Sequence, residues 1–189
     1  MKNIVIFASG AGSNAQAIID FFRGKDEINV VLIVSNQSQA GVLAIAEAEE
    51  IDSMLIDKKI INDDSFLEIL KTYETDLIVL AGYLWKIPDY LIQAYENKIV
   101  NIHPSLLPKY GGKGMYGHHV HQAVIENKET ESGISIHLVN EEYDKGKILL
   151  QKKVILDDEE TPDSLASKIH KLEHEHFAET INKLITLNH

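Results

Sequence analysis

The chain contains no cysteine, which excludes disulfides, cysteine-based zinc sites and a thiol nucleophile. That absence is compatible with a reducing compartment. Positive charge is scarce: 18 Lys and Arg face 29 Asp and Glu, for a formal net charge of −11. A nucleic-acid binder usually carries the opposite bias. Arg23 is the only arginine, so anionic ligand groups must be met by lysines and backbone N–H groups. Long apolar runs are also missing. The first, Ile4 to Ala8, is too short for a signal-peptide core, and no stretch approaches the ~20 residues of a membrane span. These absences predict a cytoplasmic protein with no nucleic-acid or membrane partner. What is present is ordinary for a globular chain: 189 residues, 44% hydrophobic and 25% charged. A chain of that length buries about 70% of its unfolded surface on folding.

Two periods alternate through the first half. Asn3–Ser9, Asn29–Ser35, the weaker Met54–Asp57 and Asp76–Ala81 read as short, continuously apolar strands. Between them lie helical stretches at Ala15–Phe22, capped by Ser13 or Asn14, at Gly41–Glu50, and at Asp63–Tyr73, capped by an Asp. Apolar strands alternating with helices predict an α/β fold with a mostly parallel, twisted sheet covered on both faces. The second half differs. Ile99–Ile102 is a short strand, residues 108 to 118 form a loop rich in Gly, Tyr and His, and His121–Glu126 is helical. Gly133–Asn140 and Lys147–Leu156 are strands joined through the turn Asp144-Lys145-Gly146, which favours an antiparallel pair. Thr161-Pro162 opens a last helix whose stripe is Leu165, Ile169, Leu172, Phe177, Ile181, Leu184 and Ile185. No repeat, low-complexity tract or linker divides the chain, which predicts one domain.

Two segments carry chemistry. Gly10-Ala11-Gly12-Ser13-Asn14 turns from the first strand into the first helix. Glycines there let a ligand approach the backbone, and the helix start offers free N–H groups to a phosphate. No Lys follows, so it is not a P-loop. The second strand ends in Ser35-Asn36, with no acid to hold a ribose diol, which disfavours an NAD-dependent dehydrogenase. The same turn also serves as a plain tight connection. In Asn101-Ile102-His103-Pro104, alternation puts Asn101 and His103 on one side of a strand. His suits acid–base work at neutral pH, and Asn can donate to a developing oxyanion. A structural His at a strand end fits equally well. Asp144, if buried beside His103, would raise the ring's pKa and hold it charged; the alternative is a solvated turn residue. His118, His119 and His121 cluster, and His170 and His174 stand four apart. The HExxH order is absent, so these read as surface or loop histidines rather than a metal site. His137 falls on the strand before Asp144, near the site or in the core.

Taken in order, IVIFASGAGSNAQAIID, DLIVLAGYL, NIHPSLLPKY, GISIHLVNEEYDKGKILLQ and Leu172-Glu173-His174 resemble the phosphoribosylglycinamide formyltransferase family over essentially the whole chain. The resemblance implies the formyltransferase fold and one domain over residues 1–189. Residues 1–100 would form its nucleotide- and phosphate-binding half, and residues 101–189 its catalytic and folate-binding half. It implies 10-formyltetrahydrofolate as co-substrate, glycinamide ribonucleotide as acceptor, and no metal. Asn101, His103 and Asp144 would be catalytic. Gly12, Ser13 and Asn14 would bind the phosphate, and Glu173 the glycinamide end. Leu84, Trp85, Lys86, Ile87, Asn101 and Val139 would line the folate pocket. On helical periodicity alone Glu173 reads as an exposed helix residue. The family often has Arg where Trp85 stands, so Lys86 becomes the candidate for the folate tail. The glycines of Tyr110–His118 suggest a mobile loop from which Tyr116 and His118 could touch the nucleotide. Three alternatives stand beside this reading: a formyl-folate hydrolase, a transferase acting on methionyl-tRNA (disfavoured by the missing basic face) and a non-catalytic nucleotide-binding module.

Overall fold

The structure, a computed structural model, describes residues 1–25 and 27–187. Its seven strands are β1 (Lys2–Phe7), β2 (Ile28–Ser35), β3 (Asp52–Leu55), β4 (Thr75–Leu80), β5 (Ile99–His103), β6 (Glu131–Leu138) and β7 (Ile148–Ile155). They form one sheet in the order β3-β2-β1-β4-β5-β6-β7. The first five run parallel, and β6 and β7 are antiparallel additions at one side. The helices are α1 (Ser13–Phe22), α2 (Gly41–Ala48), α3 (Lys58–Ile61), α4 (Ser65–Thr72), α5 (Asp89–Ala94), α6 (His118–Glu126) and α7 (Pro162–Leu187). No described helix is long and apolar enough to cross a membrane.

Alternation along β1 shows why both faces are covered. Ile4, Ile6 and Ala8 point into one core with Ile18 of α1, Val120 of α6 and Ile169 and Phe177 of α7. Val5 and Phe7 point into the other, with Phe66 and Leu70 of α4 and Leu91 of α5. The strands are apolar on both sides because both sides are buried. Chain direction across the sheet reverses at β1: the chain moves outward to β2 and β3, then returns to β4 on the other side of β1. Such a switch point opens a crevice at the carboxyl ends of the two central strands.

Three local expectations change. The helix cap at α1 is Gly12, not Ser13 or Asn14. Gly12 sits at φ 86°, and no side chain caps the helix. The third strand starts earlier, at Asp52, and Asp57 leaves it to accept hydrogen bonds from the N–H groups of Lys59 (2.9 Å) and Ile60 (2.8 Å), starting α3. The short helices α3 and α5 are additions that apolar periodicity does not reveal, because four and six residues are too few to display a period.

Candidate active site

The crevice is a cavity of about 610 Å³. All the residues singled out for catalysis or binding line it: Asn101, His103 and Asp144; Gly12, Ser13, Asn14 and Glu173; Leu84, Trp85, Lys86, Ile87 and Val139. They come from the end of β5, the start of α1, one face of α7, the segment between β4 and α5, and the turn after β6.

At the glycine turn the backbone needs glycine for two reasons. Gly12 has a left-handed φ of 86°, and a Cβ there would lie 2.8 Å from Ile45 Cδ1 and 2.9 Å from Val42 Cα. The tight approach of α2 thus fixes the turn and aims the free N–H groups of the α1 first turn at the cavity. Asn14 reaches across to α7, where its Nδ2 donates to Glu173 Oε2 at 2.9 Å. Glu173 is 6% exposed, so the exposed position suggested by periodicity is corrected. Its neighbours Ile169 and Phe177 on the same helical face are buried in the core and carry it inward. Burial raises its pKa, and the Asn14 bond offsets only part of that.

At the other end, β5 presents Asn101 and His103 on one side, and the antiparallel register sets His137 of β6 opposite Asn101 and Ser135 opposite His103. His137 Nδ1 lies 2.9 Å from the Leu138 carbonyl oxygen, so Nδ1 carries a proton there. Its Nε2 lies 3.1 Å from Asn101 Nδ2 and accepts from it. The second N–H of the Asn101 amide stays available to the cavity. Asp144 stands in the turn after β6 at a left-handed φ of 56°. Its Oδ2 accepts from the Gly112 N–H at 2.8 Å and lies 3.6 Å from His103 Nδ1, while Oδ1 lies 3.5 Å from His137 Nε2. Gly146 allows the turn to close, because a Cβ there would sit 1.7 Å from the Leu138 carbonyl oxygen.

His103 is gripped from its other side as well. Nε2 donates to the Tyr110 carbonyl at 2.7 Å. Burial pushes its pKa below the ordinary value. Asp144 and the Tyr110 carbonyl pull it up, and His137 adds a further push down. The expectation that Asp144 holds the ring charged is therefore corrected, because desolvation wins. The 3.6 Å gap agrees, since a charge-assisted bond is about 2.7–2.9 Å. The resting ring is neutral, with its Nδ1 lone pair toward Asp144. Asp144 itself is pushed up by burial, but His137, His103 and the Gly112 N–H together bring it below the usual carboxylate range.

His137, His121 and His170 also line the cavity, and sequence reasoning selected none of them as site residues. Antiparallel pairing of β5 and β6 pointed toward His137 once the register is known. His121 is buried at 3% exposure, which corrects its reading as a surface residue; α6 starts earlier than expected and packs by Val120 and Val124 into the core. Tyr116 lines the cavity, whereas His118 lies 3.8 Å from Asp163 at the start of α7. Lys86 is paired with Asp89 at 3.1 Å, and Lys58 Nζ sits 3.8 Å above the Trp85 ring. Arg23 is bound to Asp20 and Glu49, away from the cavity wall.

Comparison with known proteins follows the same lines. A family model described as formyl transferase matches residues 2–181. The chain is 37% identical to the phosphoribosylglycinamide formyltransferase of Bacillus subtilis, over all of this chain and 97% of that one. It is 38% identical to the chloroplastic enzyme of that name from Arabidopsis thaliana, over 97% of this chain but only 65% of the plant protein. Among solved structures, phosphoribosylglycinamide formyltransferase from Bacillus halodurans superposes with a TM-score of 0.88 at 34% identity, over 97% of this chain and 95% of that one.

Proposed function

Because the chain belongs to the formyl transferase family, we propose that it moves a formyl group from 10-formyltetrahydrofolate to the amine of glycinamide ribonucleotide in purine biosynthesis. The observation that carries this is the meeting of a carboxamide, an imidazole and a carboxylate (Asn101, His103 and Asp144) in one cavity with the open start of α1. Relatives bearing the name of that enzyme support it. A cytoplasmic location belongs to the same reading, although the Arabidopsis relative is named chloroplastic.

The chemistry assigns each group a task. The phosphate rests on the N–H groups at Gly12, Ser13 and Asn14, where the helix dipole counters the overall negative field. Glu173 takes donors of the acceptor substrate. Leu84, Trp85, Lys86, Ile87 and Val139 form the folate wall. The neutral amine attacks the formyl carbon, a C–N bond forms, and the carbonyl oxygen becomes an oxyanion. The free N–H of Asn101 stabilises that charge. His103, neutral at rest, takes up the proton released by the amine at Nδ1, the ring nitrogen not already donating to the Tyr110 carbonyl, and becomes an imidazolium beside Asp144. The proton passes to the folate nitrogen as its bond to the formyl carbon breaks. The nucleophile is the substrate's own amine, so the reaction needs no metal. Holding both substrates in line supplies much of the acceleration.

The test follows tetrahydrofolate release from 10-formyltetrahydrofolate with and without glycinamide ribonucleotide. Release that requires the nucleotide, and falls by several orders of magnitude in His103→Ala, is the expected result. Release without the nucleotide would make the protein a hydrolase, and none in either case would make it a non-catalytic binder.

A further inference from the structure

One buried group in the cavity has no task in the scheme above. His121, on the second turn of α6, is 3% exposed and lines the cavity, and its Nδ1 has no hydrogen-bond partner among the described residues. A buried polar atom left unpaired in a native fold calls for an explanation. Val120 and Val124 pack into the core and seat α6 with the ring facing inward.

We propose that His121 binds the acceptor substrate directly, its ring hydrogen-bonding the uncharged amide that links the reacting amine to the sugar. This rests on the acceptor assigned above. Two observations, with the layout of the acceptor, carry it. His121 lines the same cavity as His103 at the catalytic end and as Glu173 and His170 of α7 at the other. The acceptor lays its parts out in the same order: amine at His103, then amide, then sugar, then phosphate at the α1 start. The Asn14 Oδ1 is also buried and unpartnered, which marks the sugar and phosphate side as a second place awaiting a ligand. The chemistry agrees. Burial, with His170, His118 and His103 nearby, pushes the His121 pKa down to about 4, so the ring carries no charge with which to hold a phosphate. A neutral imidazole offers one donor and one acceptor, which suits an amide.

His121→Phe keeps the ring volume and removes both nitrogens. With each substrate varied in turn, KM for glycinamide ribonucleotide should rise by about tenfold or more. KM for the formyl-folate should stay the same, and the melting temperature at neutral pH should not fall, since the change removes an unpaired buried nitrogen. An acceptor KM within about twofold of the unaltered protein, or an equal rise for both substrates, overturns the assignment. In the unaltered protein, the ¹⁵N resonance of His121 Nδ1 should shift on adding glycinamide ribonucleotide and not on adding a folate alone; an unmoved resonance overturns it too. If the unaltered protein transfers no formyl group to the nucleotide, the functional reading falls together with this one. If it does and His121→Phe behaves normally, only this one falls.

Discussion

Asp144→Asn removes a charge while preserving a shape. The asparagine Oδ1 can still accept from the Gly112 N–H, now 2.8 Å from Asp144, so the turn keeps its anchor. What disappears is a negative charge 3.6 Å from His103 Nδ1. At an effective dielectric of about 20, unit charges at that spacing attract by about 4–5 kcal/mol. The resting ring is neutral and feels little of this; the imidazolium formed during turnover feels most of it. The substitution should therefore lower kcat by up to about a thousandfold and leave both KM values close to those of the unaltered protein. Removing the attraction also removes the largest influence that raises the His103 pKa, so its titration midpoint should move further down. Folate release followed by absorbance gives kcat, and a ¹H NMR titration of the ring gives the midpoint. A kcat loss below tenfold, or a midpoint that moves up, would refute the role given to Asp144.

Other perturbations act on different parts of the same cavity. Gly12→Ala must hold a methyl group at φ 86° and 2.8 Å from Ile45 Cδ1, and should cost about 1–3 kcal/mol of stability in a denaturant titration. A midpoint equal to the parent's would remove the steric account of the turn. Glu173→Gln relieves a buried carboxylate whose pKa is raised, and that penalty is absent at low pH and grows as pH rises past the ordinary carboxylate range. At neutral pH the variant should melt higher while binding the acceptor more weakly; a lower melting temperature contradicts it. The folded protein resists protonating His121, whose pKa is pushed down to about 4, while the unfolded chain takes up that proton near its ordinary value. Stability should be complete above about pH 6.5 and fall between about 6.5 and 4. His121→Phe should flatten that limb in thermal melts at stepped pH, and an unchanged limb would assign it to other groups.

Much of the frame was legible because the middles of β1, β2 and β4 are continuously apolar. Ile4 to Ala8 and Leu77 to Leu80 are buried on both faces, which is why no polar residue interrupts them. The placing of Asn101 and His103 followed from strand alternation alone. Burial was the harder quantity. Glu173 and His121 are polar, yet each is drawn inward by apolar neighbours one turn away, and that direction depends on which helix face meets the sheet. His137 depends on a pairing register between β5 and β6, set by contacts remote in sequence. The balance at His103 depends on desolvation, which no spacing expresses. The roles of Asn101, His103 and Asp144 came from resemblance, and the geometry now gives each a partner.

Both grips on the His103 ring come from segments with unusual backbones: Tyr110, whose carbonyl it meets, has φ 55°, and Asp144 has φ 56°. Each such non-glycine conformation costs of order 1–3 kcal/mol and persists only while its surroundings enforce it. The working arrangement is thus less durable than the sheet beneath it. On gentle warming, turnover should fade several degrees before the strands melt, and cooling should restore it as the two loops snap back.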